Sequence, residues 1–285
     1  MSATPRPAYV YRPMTVADLP AAHALSVQLK WPHRLEDWAM LQRVGQGFVV
    51  EDGERLIGSA FACLQGDYAT IGLVIVSGDY QGQGIGRALM EKALHACESR
   101  TPILNATLAG APLYASQGFV EFGVIQQHQG QVRVPEVGTL PAGENCRPLR
   151  KADRLRQLSL ANAGSGLDRQ QVLEDLFAVV EHGVGIERDG QLRAFALLRP
   201  FGRGRCIGPV VAETAEQARQ MIASLLSKVP DTFVRIDIPA DCGLAEWLES
   251  AGLKQVDQVA QMARGTPPRA LGNVRQFALV TQAIG

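Results

Sequence analysis

The 285-residue chain has no excess of charge of either sign: Lys+Arg and Asp+Glu stand at 28 each. A neutral total gives no bulk attraction to nucleic acid or to an anionic membrane, so neither is expected as a partner. No run of about 18 apolar residues occurs, and no segment is expected to span a bilayer. Met1–Tyr11 carries prolines rather than an apolar signal-type core, which points to the cytoplasm. Cysteine is sparse and odd in number: Cys63, Cys97, Cys146, Cys206 and Cys242 are scattered and never form a Cys-x-x-Cys pair. That pattern excludes a zinc ribbon and a disulfide framework, and no metal is expected. Cys63 and Cys97 lie in apolar surroundings and read as small buried hydrophobes.

What is present is a folded, globular composition, 46% hydrophobic and 20% charged. The length is generous for one domain and comfortable for two. The chain also repeats itself. Arg12-Pro13-Met14-Thr15-Val16-Ala17-Asp18 returns as Arg147-Pro148-Leu149-Arg150-Lys151-Ala152-Asp153, Asp52-Gly53 as Asp189-Gly190, and Ile71-Gly72 as Ile207-Gly208. Leu113–Phe119 returns as Trp247–Leu253. Matches kept in order at a nearly constant offset indicate a duplicated domain. Residues 1–135 and 146–285 are therefore expected to be the two copies, joined by a stretch holding Pro135, Gly138, Pro141 and Gly143.

Within the first copy, Thr15 with Asp18 three residues on has capping-box spacing and opens a helix over Thr15–Leu29. Phe48–Glu51 and Leu56–Ala62 read as strands joined at Asp52-Gly53, a hairpin signal. Ile71–Val76 reads as a buried strand. A helix is expected from about Gln83 to Cys97, with Ile85, Leu89 and Ala93 on one face and Arg87, Glu91 and His95 on the other. A short strand at Ile103–Thr107 and a short helix at Pro112–Gln117, ended by Gly118, complete the copy. The expected class is α/β (α+β), a mixed sheet in each copy with helices on both faces.

The segment richest in chemistry is Val74-Ile75-Val76-Ser77-Gly78-Asp79-Tyr80-Gln81-Gly82-Gln83-Gly84-Ile85-Gly86-Arg87. A strand enters a glycine-rich loop that opens a helix. Glycines let backbone approach a ligand closely, and the first helical turn leaves N–H groups unpaired. With the positive end of the helix dipole, those donors suit a pyrophosphate. The P-loop pattern needs Gly-Lys-Ser/Thr, but Gly86 is followed by Arg87-Ala88. The dinucleotide pattern would need glycine at Arg87 and an acidic ribose ligand that is missing.

What remains is Gln-x-x-Gly-x-Gly at Gln81, Gly84 and Gly86, which resembles the signature of the GNAT superfamily of acyl-CoA N-acyltransferases. Leu113-Tyr114-Ala115-Ser116-Gln117-Gly118-Phe119 is similar to that family's second element, Leu-Tyr-x-x-x-Gly-Phe. The resemblance spans residues 10–130 and reaches the second half only through the repeat. It implies acetyl-CoA as co-substrate, gripped at Gln81, Gly82, Gln83, Gly84, Ile85, Gly86 and Arg87. It further implies that Val74 and Val76 hydrogen-bond the pantetheine arm where the next strand splays away, and that Tyr114 protonates the leaving thiolate. Where the family often has asparagine, seven residues before the tyrosine, this chain has Thr107, so that cofactor contact is expected to differ.

The acceptor implied is a primary amine, on a small molecule or a peptide, which must lose a proton before attack. The family places the segment Trp31–Trp38 over the substrate opening. Glu36, Asp37 and His33 are candidate bases there, although a surface role is the favoured reading of each and a water relay competes. Trp31 and Trp38 either line the acceptor pocket or belong to the core.

In the second copy Ala218, Gln220 and Ile222 stand at Gly82, Gly84 and Gly86, and Leu248 stands at Tyr114. That copy is expected to be degenerate, with a structural role or one in walling the acceptor pocket. Asp168 with Gln171 reads as a capping box, with Asp168-Arg169 alternatively reaching the acceptor; Asp237 and Asp241 read as solvated loop residues. The rival function is a catalytically inactive acyl-CoA sensor or interaction module, or a transferase of another acyl group. The oligomeric state is not legible.

Overall fold

The computed structural model describes residues 9–285; the start of the prolyl segment Met1–Tyr11 lies outside them. In the first half, β1 (Val10–Pro13) leads through a short turn into α1 (Leu19–Gln28) and α2 (Leu35–Val44). An antiparallel meander follows, β2 (Gln46–Asp52), β3 (Arg55–Gln65) and β4 (Tyr68–Val76). Then come α3 (Ile85–Ala96), β5 (Thr101–Ala106), α4 (Ala111–Ala115) and β6 (Val120–Gln131).

The second half repeats this order as β7 (Glu144–Pro148), α5 (Arg154–Ser165), α6 (Gln170–Leu176), β8 (His182–Arg188), β9 (Gln191–Phe201) and β10 (Gly204–Ala212). It continues through α7 (Ala215–Leu226), β11 (Phe233–Pro239), α8 (Ala245–Ser250) and β12 (Lys254–Ala263). A final strand, β13 (Arg275–Ala278), has no counterpart in the first half.

The repeated Arg…Asp motifs have the same physical job in both copies. Arg12 donates to Asp18 at 2.8 Å and to Glu51 at 3.2 Å, tying β1, the first helical turn and β2 together. Arg147 donates in the same way to Asp153 at 2.8 Å and Glu187 at 2.6 Å. Asp18 reaches back to Thr15 as the spacing predicts, accepting from its N–H at 2.7 Å and from its hydroxyl at 2.9 Å. At the first hairpin Asp52 faces Arg55 across a two-residue turn, and Gly53 takes φ +58° there.

All thirteen strands form one sheet, in the order β1-β2-β3-β4-β5-β12-β6-β11-β10-β9-β8-β7, with β13 beside β10. The centre of that order is an exchange. The last strand of each half leaves its own half: β12 pairs with β5, β6 pairs with β11, and the two pair with each other antiparallel. The halves thus share a continuous hydrogen-bonded ladder.

Helices cover both faces of the sheet. On one face α1, α2, α5 and α6 share a single apolar core, in which Trp38 and Leu41 of the first half join Leu160, Val172 and Phe195 of the second. On the other face, α3 and α4 pack over the first half and α7 and α8 over the second, in separate cores. Among the described residues, no helix is long and apolar enough to cross a membrane.

Candidate active site

The site begins at a break in the sheet. β4 and β5 run parallel and pair from Tyr68–Thr101 to Ile71–Leu104, then part. A bulge sits at the parting point: Ser59 to Phe61 on β3 face Ile75 to Gly72 on β4, one extra residue on the β4 side. Leu73 absorbs the bulge at φ +49°, an unfavourable angle for a branched side chain. Beyond it, Ser77 N–H donates back to Ile57 O on β3, so the alternating amides of Val74 and Val76 face the gap instead. Gln81 Nε2 donates to Val76 O at 3.1 Å and covers that carbonyl from solvent's side.

The gap runs into the start of α3. The first helical hydrogen bond is Ala88 N–H to Gly84 O, so the N–H groups of Ile85, Gly86 and Arg87 have no acceptor among the described residues. Gly82 and Gly84 take φ +75° and +83°, left-handed angles that favour glycine, and a Cβ built on either would project into open space. The unpaired edge of β4 and the amide row together line one groove of about 670 Å³. Gln81, Gly82, Gly84, Ile85, Gly86, Arg87, Val74, Val76, Thr107 and Trp31 all border it. Gln83 does not; its Oε1 accepts from the Tyr9 hydroxyl at 2.7 Å.

Tyr114 also borders the groove, and its ring packs edge-on against Phe119. Burial pushes its phenol up to about 12, because a phenolate there would lose hydration. The group is therefore a proton holder at neutral pH. The cysteines have the opposite suitability: burial pushes Cys63, Cys97, Cys206 and Cys242 up to about 11, away from a reactive thiolate. Among the described residues, no group of three or more His, Cys, Asp or Glu side chains is gathered as a metal site would require.

A second cavity, of about 280 Å³, adjoins the groove through shared walls at Trp31, Gly72, Leu73, Asn105 and Thr107. Its far side comes from the second half: Phe201, Arg203, Arg235 and Asp257, together with the tail segment Thr281–Ala283. Gly72 allows that tail to lie against β4, since a Cβ there would stand 2.8 Å from Ala283 Cα. Asn105 Nδ2 donates to Gln282 O at 2.7 Å and pins the segment.

Two profiles described as acetyltransferase (GNAT) domains match the chain, one over residues 43–121 and the other over 158–278. The fold is that of a tandem GNAT acyltransferase. A protein of Bacillus subtilis (strain 168) described as an uncharacterized N-acetyltransferase, YitH, is 28% identical over 269 residues, spanning 90% of this chain and 92% of its own. The crystal structure of a candidate acetyltransferase from Pyrococcus horikoshii superposes with a TM-score of 0.79 at 18% identity, covering 97% of this chain and 96% of the other. A tandem GNAT protein from the clavulanic acid biosynthesis pathway gives 0.63 at 15% identity, over 91% and 99% of the two chains. A GNAT fold implies a coenzyme A-linked acyl donor.

The second GNAT-like half has the same parting of strands but a different occupant. β10 and β11 pair only at Arg205–Val234 and Cys206–Arg235. In the gap beyond, β13 pairs with Val210, Val211 and Ala212, the counterparts of Val74–Val76 at an offset set by the two Ile-Gly pairs. The start of α7 is closed as well. Thr214 Oγ1 accepts from Gln217 N–H at 3.2 Å and Gln217 Oε1 accepts from Glu213 N–H at 3.0 Å. Glu144 and Glu213 stand beside that turn, held by Arg188 at 2.8 Å each.

Several residues named from the sequence lie elsewhere than expected. Trp38 is fully buried, donates from Nε1 to Ser26 Oγ at 3.2 Å and packs on Phe61, so it belongs to the core and not to the acceptor cavity. Glu36 is exposed on α2 and borders neither cavity. Asp37 is buried and engaged, accepting from Arg34 at 2.8 Å and from Gly202 N–H of the second half at 3.2 Å. His33, far from being a surface residue, lines the smaller cavity between Trp31 and Phe201. Burial, with Arg235 nearby, pushes its imidazole down to about 4.

In the second half, Asp168 accepts from Gln170 N–H at 3.0 Å, but Gln171 donates to Arg43 O, so the capping box is not reciprocal. Arg169 is buried away from the cavity and donates to Ile284 O at 2.7 Å. Asp237 is a strand residue, 1% exposed, gripped by Arg235 at 2.9 Å. The alternation of Val234, Ile236 and Ile238 marks the strand and sets Arg235 and Asp237 together on its other face, which the second half's packing then buries. Sequence reasoning missed Asn105, which borders both cavities near the end of β5, two residues before Thr107.

Proposed function

We propose that the first half binds acetyl-CoA in the groove between β4, β5 and α3, and that the protein transfers the acetyl group to a primary amine entering through the smaller cavity. The observation that carries this reading is the continuity of unpaired backbone donors, from Val74 and Val76 to Ile85, Gly86 and Arg87, along one groove that ends near Tyr114. Such a row, with the helix dipole behind it, suits a diphosphate joined to an amide-bearing arm. In this reading residues 1–135 form the catalytic unit, and residues 146–285 a copy that has lost cofactor binding and serves the acceptor side. We place the protein in the cytoplasm.

Coenzyme A supplies the acyl group as a thioester, activated toward nitrogen nucleophiles. The chain's part is positioning and proton control. The neutral amine forms the C–N bond as the C–S bond breaks, losing one proton to solvent through the polar cavity. Tyr114 gives its proton to the departing sulfur, for which a phenol held protonated by burial is suited, and regains one from the solvent that took up the amine's, so no net proton is consumed. The gap-facing N–H of Val76 is a donor available to the developing oxyanion. No carboxylate on β4 can act as base, and His33, with its depressed pKa, is a poor proton acceptor at that step.

The test is release of free thiol from acetyl-, propionyl- and longer acyl-CoA with a panel of amines. Acetyl-CoA should give the fastest release, and release should require an amine. Tight acetyl-CoA binding with no turnover of any amine would instead favour an acyl-CoA sensor.

A further inference from the structure

We propose that the acceptor is a small primary amine that also carries a carboxylate, and that Arg235 of the second half binds that carboxylate. The inference rests on the acyl-transfer reading above and names the acceptor's class. It starts from where Arg235 sits. Its side chain is 8% exposed, lines the smaller cavity, and reaches Asp237 through Nε and Nη2. Nη1 has no protein acceptor among the described residues. A guanidinium buried only for stability would be expected to use its whole fork.

The local charge balance points the same way. Arg199 and Arg235 both lie against the Phe201 ring, at 4.9 and 5.4 Å from its centroid. Asp237 pairs with Arg235, whereas Arg199, 1% exposed, has no acidic partner among the described residues and donates to Val280 O at 2.8 Å. Asp37 is matched by Arg34. This leaves one buried positive charge uncompensated on Arg199, which touches the wall residue Phe201 without itself lining the cavity, a costly state that an anion on neighbouring Arg235 relieves through space. At the mouth, Lys30 and Arg203 outnumber Asp257. His33, neutral at pH 7, adds no charge of its own.

Size and orientation complete the case. A cavity of about 280 Å³ holds on the order of ten non-hydrogen atoms at liquid-like packing, the scale of a free amino acid rather than a folded peptide segment. Arg235 is on the second-half wall, and Gly72, Asn105 and Thr107 are on the wall shared with the cofactor groove. A carboxylate on Arg235 therefore directs the amine end toward the thioester. Asp237 acts through Arg235 and is a positioning residue.

The experiment compares matched sets of acceptors with acetyl-CoA and the full chain: α- and β-amino acids, their carboxamides and their decarboxylated amines. Thiol release is measured, and acetyl-CoA affinity is measured separately. The carboxylate-bearing member of at least one set should exceed its amide and amine in kcat/KM by about 10²-fold, as for loss of a charge-assisted hydrogen-bond pair. The double variant Arg235→Gln/Asp237→Asn removes the pair without stranding a charge. It should raise KM for the carboxylate substrate by about 10²-fold, leave kcat and acetyl-CoA affinity within a few-fold, and abolish acid-over-amide discrimination. Arg203→Ala, at the exposed mouth, should raise that KM by only a few-fold. Equal or better use of amides, decarboxylated amines or polyamines overturns the proposal. So does silence from every carboxylate-bearing amine while acetyl-CoA still binds, an outcome that spares the cofactor site. Failure to bind acetyl-CoA would defeat the underlying reading itself.

Discussion

In the first half the gap between β4 and β5 is left open, whereas in the second the gap between β10 and β11 is filled by β13, the protein's own backbone. The same parting of strands has two solutions to one problem, which is that backbone donors and acceptors facing a gap need partners. Val210–Ala212 find theirs within the chain; among the described residues the N–H groups of Val74 and Val76 do not, and only the Val76 carbonyl is met, by Gln81. The helices that follow differ in the same sense. α3 starts on glycine with bare amides and Arg87, while α7 starts on a threonine cap beside Glu213 and Glu216. A half that satisfies itself has nothing left with which to hold a diphosphate. The half that leaves its N–H donors unpaired keeps them available, which is what the acyl-CoA reading proposed above draws on.

The largest effect that should separate the halves comes from charge at the two helix starts. Gly84→Glu combines a left-handed backbone position with a carboxylate facing the diphosphate site, and should weaken acetyl-CoA binding by 10²-fold or more, roughly the sum of a steric and an electrostatic penalty. Gln220→Glu, the matching change in the second half, should leave binding unchanged; equilibrium dialysis checks both. Next, Tyr114→Phe should lower kcat by on the order of 10²-fold with the dissociation constant for acetyl-CoA unaltered. Because Tyr114 titrates near 12, wild-type kcat/KM should climb as the amine deprotonates and show no descending limb through about pH 10.

A smaller effect sharpens the contrast through stability. Acetyl-CoA at 100 times its dissociation constant should add about 2.7 kcal/mol. Under saturating acetyl-CoA, hydrogen exchange should slow at Val74 and Val76 and change little at Val210–Ala212. The smallest concerns His33 at the seam between the halves. Its folded pKa of about 4 lies below the unfolded value near 6.5, so the folded state binds fewer protons in that window. The stability associated with its neutral form is present above pH 6.5 and is lost as pH falls toward 4. Urea midpoints across that range should show the decline, and His33→Gln should flatten it.

Much of this was legible from residues alone. Repeat, strands and glycine turn announced themselves through periodicity and local chemistry, whereas Tyr114 came only through the resemblance of Leu113–Phe119 to a GNAT element. The exchange of β6 and β12 did not, because alternation marks a strand without naming its neighbour. The role of β13 was hidden for the same reason. Trp38 and His33 sit in one segment, one in the core and the other on the cavity wall, a difference set by contacts with Ser26 and Phe201 that are remote in sequence. Asp237 reads as solvated because alternation puts it on the polar face of its strand; its burial comes from the Arg235 pair and from packing on that face, which local pattern does not encode. The acceptor cavity belongs to both halves, and no single stretch of sequence encodes it.

The central claim is that one half grips coenzyme A and the other has filled its own groove. Calorimetric titration of acetyl-CoA into the purified full chain measures this directly through its stoichiometry. One equivalent bound per chain, abolished by Gly84→Glu, is the predicted result. Two equivalents per chain, or none, would contradict it.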